Sequence, residues 1–181
     1  MSGALVLMSG GIDSTACAYF VKAQGIQVHG VFVDYGQRAA HAELAALTAV
    51  ASQLQIPFVT VKISIPVEFG TGEILGRNAL LVMAALPIAL GHCNIVAMGI
   101  HDGTPYYDCS LTFARRINTL IQEYSNGNLQ FIAPFLTWSK EQIFEYCQVN
   151  SLNVSSTYSC EAGETPCGEC LSCLDRQLLN V

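Results

Sequence analysis

Four cysteines near the end of the chain, Cys160, Cys167, Cys170 and Cys173, stand in a C-x6-C-x2-C-x2-C cadence within the run CEAGETPCGECLSC. Thiols at this spacing suggest metal-ligand chemistry. Gly163, Pro166 and Gly168 supply the sharp turns that let four sulfurs converge on one tetrahedral ion, each at about 2.3 Å. A C-x2-C pair in a Gly-rich, polar stretch is hard to explain as core packing. The spacing points to a structural zinc ion; two disulfides or four free thiols are the alternatives. With every position filled by protein, no site stays open for water, so such an ion holds structure and does not catalyse. The other cysteines, Cys17, Cys93, Cys109 and Cys147, are scattered through mostly apolar or helical contexts and read as buried, reduced thiols.

The second chemical feature is Ser9-Gly10-Gly11-Ile12-Asp13-Ser14. It falls where a short apolar strand hands over to a helix, so backbone N–H groups and the positive end of the helix dipole point outward together. Such a turn suits phosphate. Gly10 and Gly11 let the backbone approach oxygens that a Cβ would push away, Ser9 and Ser14 offer hydroxyl donors, and Asp13 can cap the helix or sit near magnesium. A plain glycine turn capped by Asp13 is the alternative. The loop lacks the G-x4-G-K-[ST] pattern, so no Walker lysine is available for a γ-phosphate.

The elements that must position these groups follow from hydrophobic periodicity. Strands are expected at Ala4 to Met8, Val28 to Asp34, Phe58 to Ile63, Asn94 to Gly99 and Gln130 to Ala133. Helices are expected at about Asp13 to Gln24, Ala39 to Leu54, Asn78 to Leu90, Thr112 to Tyr124 and Lys140 to Gln148. Repeated βα units with continuous apolar strands imply an α/β fold: a Rossmann-like, mostly parallel sheet covered on both faces, with ligands at the carboxyl ends of its strands. From Ser151 the periodicity fades into Ser, Thr, Gly and Cys. Residues 1–150 therefore read as the sheet domain and 151–181 as a zinc-stapled tail.

At 181 residues the chain is long enough for a sizeable core without disulfides. Charged residues make up only 12% and the net charge is −6, so the cationic field of a nucleic-acid clamp is missing. The longest apolar run, Ala79 to Leu90, is interrupted by Pro87 and is shorter than the roughly 18 residues of a membrane span. The N-terminus has neither a basic region nor room for a signal-type apolar segment. A soluble, cytoplasmic protein with no nucleic-acid or membrane partner is expected.

SGGIDS resembles the SGGxDS signature of the ATP pyrophosphatase, or PP-loop, family. Within it, the match narrows to the QueC family of 7-cyano-7-deazaguanine synthases. The runs Asp34-Tyr35-Gly36-Gln37-Arg38, Gly76-Arg77-Asn78, Tyr107-Asp108-Cys109, Pro134-Phe135 with Ser139-Lys140-Glu141, and the Ser159-Cys160 to Arg176 tail occur in that family's order over essentially the whole chain. The resemblance implies a PP-loop domain with a four-cysteine zinc ion, using ATP and Mg2+. It also implies a reaction: adenylation of 7-carboxy-7-deazaguanine, displacement of AMP by ammonia, and dehydration of the amide to a nitrile with a second ATP. The chemistry is coherent, because a carboxylate is a poor acyl donor until AMP replaces oxide as leaving group.

By the same resemblance Ser9, Gly10, Gly11, Asp13 and Ser14 hold pyrophosphate, and Asp34, Gly36 and Gln37 lie at the adenosine edge. Arg38 and Arg77 are counter-charges for phosphate or the substrate carboxylate, with a solvated surface arginine as the bland alternative. Lys140 is similar to the lysine of the family's second phosphate motif; an ordinary first-turn residue after a Ser139 cap is its alternative. The segment Gly99 to Asp108 concentrates polar and aromatic groups after a strand and looks like a substrate loop. Tyr106 or Tyr107 would stack on the deazaguanine, and Asp102 or Asp108 would accept from its amino-pyrimidinone edge; a turn in which Asp102 bonds its own backbone is the alternative. His101 is the one histidine expected near the site, with a surface role as its alternative.

Two departures from the family stand out. Only Pro66 to Glu73 intervenes where the family carries a long insertion, and Ser110 stands where an arginine is common after the cysteine. Diverged QueC-like proteins are associated with antiviral gene clusters, and a relative of that kind could couple the acid to a protein amine. A non-catalytic nucleotide-binding module is the third possibility, which the intact SGGIDS loop disfavours. The expected partners are thus a deazaguanine carboxylic acid and ammonia, with a protein amine acceptor and a homodimer left open.

Overall fold

In the computed structural model the described residues are 3–66, 70, 72–101, 103 and 105–181. The strands are β1 (Gly3–Leu7), β2 (Gln27–Asp34), β3 (Phe58–Lys62), β4 (Ile95–Met98) and β5 (Gln130–Ile132). All neighbouring pairs are parallel, in the order β3-β2-β1-β4-β5. The chain winds outward from β1 to one edge, then returns through β4 to the other. The crevice at the carboxyl ends of β1 and β4 is therefore the topological switch point, where α/β sheets take their ligands.

Side chains of β1 alternate between two cores. Ala4 and Val6 join Phe32, Ile12, Ala16, Leu47, Val50 and Ile143 on the face covered by α1 (Ile12–Ala23), α2 (Ala40–Leu54) and α5 (Lys140–Val149). Leu5 and Leu7 join Val31, Val96, Val82, Leu86, Phe113 and Ile117 on the face covered by α3 (Arg77–Ala89) and α4 (Leu111–Tyr124). Burial of both faces explains why the central strands read as continuous apolar runs. Local signals fix the helix ends. Ser139 and Gln142 form a reciprocal capping box on α5, and the Ser110 hydroxyl accepts the Phe113 N–H at the start of α4. Ser110 thus has a local reason to be there.

The tail is more regular than its sequence suggests. A sixth helix, α6 (Leu171–Leu178), begins directly after Cys170. Its leucines Leu171, Leu174 and Leu178 fall at helical spacing, but they are exposed and only Cys173 is buried, so the helix is not anchored in the sheet core. Among the described residues no helix is long and apolar enough to cross a membrane.

Two glycines let the switch point close. Gly10 has φ +80°, and a Cβ there would stand 2.5 Å from the Glu43 carbonyl oxygen and 2.7 Å from the Leu47 nitrogen of α2. At Gly99, just past β4, a Cβ would stand 2.5 Å from the carbonyl oxygen of Asp13 in α1. Neither neighbour is a flexible side chain. Gly99→Ala is expected to lower the unfolding free energy in urea by roughly 2 kcal/mol or more. Gly25→Ala, with φ +75° and nothing within 4 Å, should lose only about 1 kcal/mol.

Candidate active site

The loop between β1 and α1 is held by its own hydroxyls. The Ser9 N–H donates to Ser14 Oγ at 3.2 Å, Ser14 Oγ donates to the Gly11 carbonyl at 3.1 Å, and Thr15 Oγ1 donates to that same carbonyl at 2.8 Å. Ser9 remains exposed, and Ser9, Gly11, Asp13 and Ser14 line one cleft of about 270 Å³. Gly10 is buried beneath α2 instead.

Lys140 arrives from the first turn of α5. Its ammonium lies 2.7 Å from each carboxylate oxygen of Asp13 in the first turn of α1, so residues 127 positions apart form a bidentate ion pair. The His101 ring is nearby, with Nε2 3.8 Å from Asp13 Oδ2. Side-chain exposures of 16%, 26% and 11% for Lys140, Asp13 and His101 leave the group shielded but in reach of a ligand.

At the end of β2, Asp34 accepts the Gly36 N–H at 3.1 Å and faces Lys62 at 3.6 Å, away from the cleft lining. Gln37 does reach the cleft. Its amide donates to Glu43 Oε2 at 2.8 Å and to the Val33 carbonyl at 3.3 Å, while its oxygen accepts the Tyr35 N–H at 3.0 Å. Arg38 is exposed and lines only a small side pocket that Gln37 and Arg77 also line. Arg77, first residue of α3, lines the cleft and hydrogen-bonds the Tyr35 side chain.

Glu43 is a site residue that sequence reasoning missed. Burial pushes its carboxyl up to about 7, against the opposing pull of the Gln37 hydrogen bond and the Arg77 charge. The signal was present: Glu43 shares the buried stripe of α2 with Leu47, Val50 and Ala51, where a carboxylate is out of place.

Tyr106 lines the cleft as expected of a substrate-loop residue, and so do His101 and Cys109. Tyr107 and Asp108 do not. The Tyr107 hydroxyl accepts from Arg116 at 3.1 Å, and its ring packs edge-on against Phe113. Asp108 is buried behind the start of α3, where Oδ2 accepts the Asn78 N–H at 3.1 Å and its carbonyl accepts the Asn78 side chain. It caps a helix that has no side-chain cap of its own. Asp102 lies outside the described residues.

The tail covers the cleft, and this too was not legible beforehand. The ligand atoms of Cys160, Cys167, Cys170 and Cys173 all lie within 4.8 Å of one another, an arrangement that can hold a metal ion. The 3.9 Å between the sulfurs of Cys167 and Cys173 is close to the roughly 3.8 Å edge of a tetrahedron with 2.3 Å bonds. Backbone N–H groups of Ala162 and Cys167 donate to Cys160 Sγ, and those of Glu169 and Cys170 to Cys167 Sγ. Gly168, with φ +77°, makes that second knuckle possible.

From this centre the tail reaches three parts of the site. The Tyr158 N–H donates to the Gly10 carbonyl at 3.0 Å. Glu161 accepts from the Gly72 N–H at 2.9 Å and from Ser172 Oγ at 2.8 Å, and Glu164 accepts the Ala42 N–H at 2.6 Å, capping α2. Tyr158, Ser159, Glu161, Leu171, Ser172 and Asp175 form the outer wall of the cleft.

A parallel sheet in this order, with a glycine turn at its switch point and a basic side chain beside it, defines a PP-loop-like α/β protein. NMN synthetase from Francisella tularensis shares the fold, with a TM-score of 0.61 over 99% of this chain and 77% of that one at 17% identity. A predicted subunit of a tRNA methyltransferase from Methanocaldococcus jannaschii gives 0.55 over 82% and 75% at 14% identity. The family is narrower: the model described as queuosine biosynthesis protein QueC matches residues 3–79 and 68–178, and the chain belongs to the QueC family. The 7-cyano-7-deazaguanine synthase of Aquifex aeolicus (strain VF5) is 31% identical over 206 residues, covering 97% of this chain and 94% of the relative. That of Synechococcus sp. (strain CC9605) is 31% identical over 202 residues, covering 94% and 88%.

The raised Glu43 carboxyl has a consequence for stability. The folded state holds its proton more tightly than the unfolded chain, so its contribution is fully present below about pH 4.5 and is lost as pH rises through about 7. Glu43→Gln should therefore gain on the order of 2 kcal/mol relative to wild type between pH 5 and pH 8, read from urea unfolding at both. A difference between the two proteins that does not change with pH would contradict this assignment.

Proposed function

We propose that the chain adenylates 7-carboxy-7-deazaguanine with ATP and passes the activated acyl group to ammonia on the way to 7-cyano-7-deazaguanine. The observation that carries this reading is the convergence of Ser9, Gly11, Asp13, Ser14 and Lys140 at the N-terminus of α1 in a chain of the QueC family.

A carboxylate oxygen of the acid attacks the α-phosphorus, and the bond to the β-phosphate oxygen breaks with both electrons leaving on pyrophosphate. The first-turn N–H groups of α1, the hydroxyls of Ser9 and Ser14 and the Lys140 ammonium stabilise that charge. Gly10 supports them from below by letting the loop seat under α2. Ammonia then adds to the acyl carbon, AMP departs, and one proton passes to solvent, leaving the amide. A second ATP activates the amide oxygen, and loss of AMP and both amide protons gives the nitrile. Val33 and Gln37 at the end of β2 form the adenosine edge, with Asp34 and Gly36 shaping the turn behind them. Arg77 and Tyr106 face the acid, and Arg38 adds positive charge at the side pocket.

Two metals complete this reading. Asp13 is the carboxylate that would hold magnesium accompanying the nucleotide, and Mg2+ there would neutralise phosphate charge. The four cysteines fit Zn2+, which would fix the outer wall of the cleft. Freshly purified protein should contain about one equivalent of zinc, and chelation should raise amide exchange in residues 157–178 while β1, β2 and β4 stay protected. Less than about half an equivalent, or disulfides among these cysteines in reducing buffer, would contradict it.

Products decide the reaction. Mass spectrometry after incubation with ATP, magnesium and the acid should show AMP with the amide or nitrile when ammonia is present, and the adenylate or its hydrolysis products when it is absent. Lys140→Ala should lower turnover about 10²–10³-fold. ADP and phosphate as main products would exclude attack at the α-phosphate.

A further inference from the structure

We propose that the side-chain oxygen of Asn78 is the acceptor that reads a ring-edge N–H of the heterocyclic acid, with Asp108 holding the amide in place from behind. The inference rests on the reading above that the cleft takes 7-carboxy-7-deazaguanine.

Asn78 is the second residue of α3 and is only 2% exposed, yet it lines the cleft. Asp108 fixes it twice: the Asn78 N–H donates to Asp108 Oδ2, and the Asn78 side-chain NH2 donates to the Asp108 carbonyl, both at 3.1 Å. A backbone carbonyl can only accept, so the end of the amide turned toward it is Nδ2, and its two ends are thereby told apart. The same NH2 also approaches Cys109 Sγ at 3.8 Å. Oδ1, by contrast, meets no donor among the described residues. A buried amide oxygen without a donor is costly, and a ligand N–H would remove that cost.

The wall around it suits a flat ring. Leu81, one turn further along α3, also lines the cleft, so the side of the helix that carries Asn78 is turned toward the ligand. Leu7, Met98 and Ile100 line the same space and belong to the core beneath α3. Apolar side chains hold the faces of a heterocycle without regard to its rotation, and one acceptor among them fixes that rotation, because any other would leave the oxygen unpaired. A neutral amide also reads an N–H without placing a negative charge beside the substrate carboxylate and the triphosphate, as an aspartate in the cleft would.

Calorimetric binding of the acid to protein saturated with Mg2+ and the non-hydrolysable α,β-methylene analogue of ATP tests the assignment. Asn78→Leu, similar in size but without an acceptor, should bind the acid about tenfold or more weakly and the ATP analogue within about threefold of wild type. The 2-desamino, 1-methyl and 9-methyl derivatives of the acid between them remove every ring-edge donor. At least one should bind wild type about tenfold more weakly than the acid does, a difference that Asn78→Leu should abolish. Thermal melts show whether the variant folds. If it does not, wild type labelled with carbon-13 at its asparagine carboxamides carries the test: the Asn78 signal should move when the acid binds and stay in place with the derivative that lacks the donor. Equal binding of the acid by wild type and Asn78→Leu, a penalty for every derivative that persists in the variant, or an Asn78 signal that does not distinguish acid from derivative overturns the inference. Weakened binding of the ATP analogue alone also overturns it, since the oxygen would then serve the adenine. Wild type that binds the ATP analogue but not the acid overturns it together with the substrate reading.

Discussion

The site depends on the close approach of backbone to backbone at the switch point. The first turn of α1 is wedged between a loop seated under α2 and the end of β4, and neither Gly10 nor Gly99 has room for a methyl group. This wedge aims the N-terminus of α1 into the crevice between β1 and β4 and carries Asp13 to the place where Lys140, from the far end of the chain, meets it. If the backbones stood an ångström further apart, the loop hydroxyls, the ion pair and the helix dipole would no longer converge. Gly10 therefore has a packing role that precedes any role toward phosphate.

A second level of organisation is the tail. Its cysteines gather four sulfurs, and the side chains between them face outward to work elsewhere: Glu161 beside Cys160, Ser172 between Cys170 and Cys173, and Glu164 in the intervening turn. Each makes a hydrogen bond that ties the tail to itself, to the segment before α3 or to the start of α2. The centre thus acts at a distance of one or two residues on the cleft wall. A chain with few charges overall places several of its carboxylates here, where they accept backbone N–H groups that no local side chain satisfies.

Much of this was legible in the sequence. The five strands and five of the helices follow from apolar runs and caps, because both sheet faces are buried and the helices carry matching stripes. SGGIDS and the cysteine cadence point to their places directly, since a double glycine after a strand and four closely spaced thiols each suit a narrow range of chemistry. What escaped had physical reasons. Helix α6 is only eight residues long, and its Leu171, Leu174 and Leu178 period is short and interleaved with the end of the cysteine cadence at Cys173. Asp108 sits in a polar-looking loop, and only the fold reveals that it serves as the cap of α3 from 30 residues away. Glu43 was visible in principle as a carboxylate on an apolar stripe. The contacts of Glu161, Glu164 and Tyr158 are long-range, and no local pattern encodes them.

The central claim is that an acyl adenylate forms in the cleft between β1 and β4. Its most direct test is the exchange of labelled pyrophosphate into ATP, which requires a reversible adenylation and nothing downstream of it. Label should enter ATP when 7-carboxy-7-deazaguanine and magnesium are present without ammonia, and should not enter without the acid. Absence of exchange under all these conditions, or exchange indifferent to the acid, would contradict adenylation of that substrate.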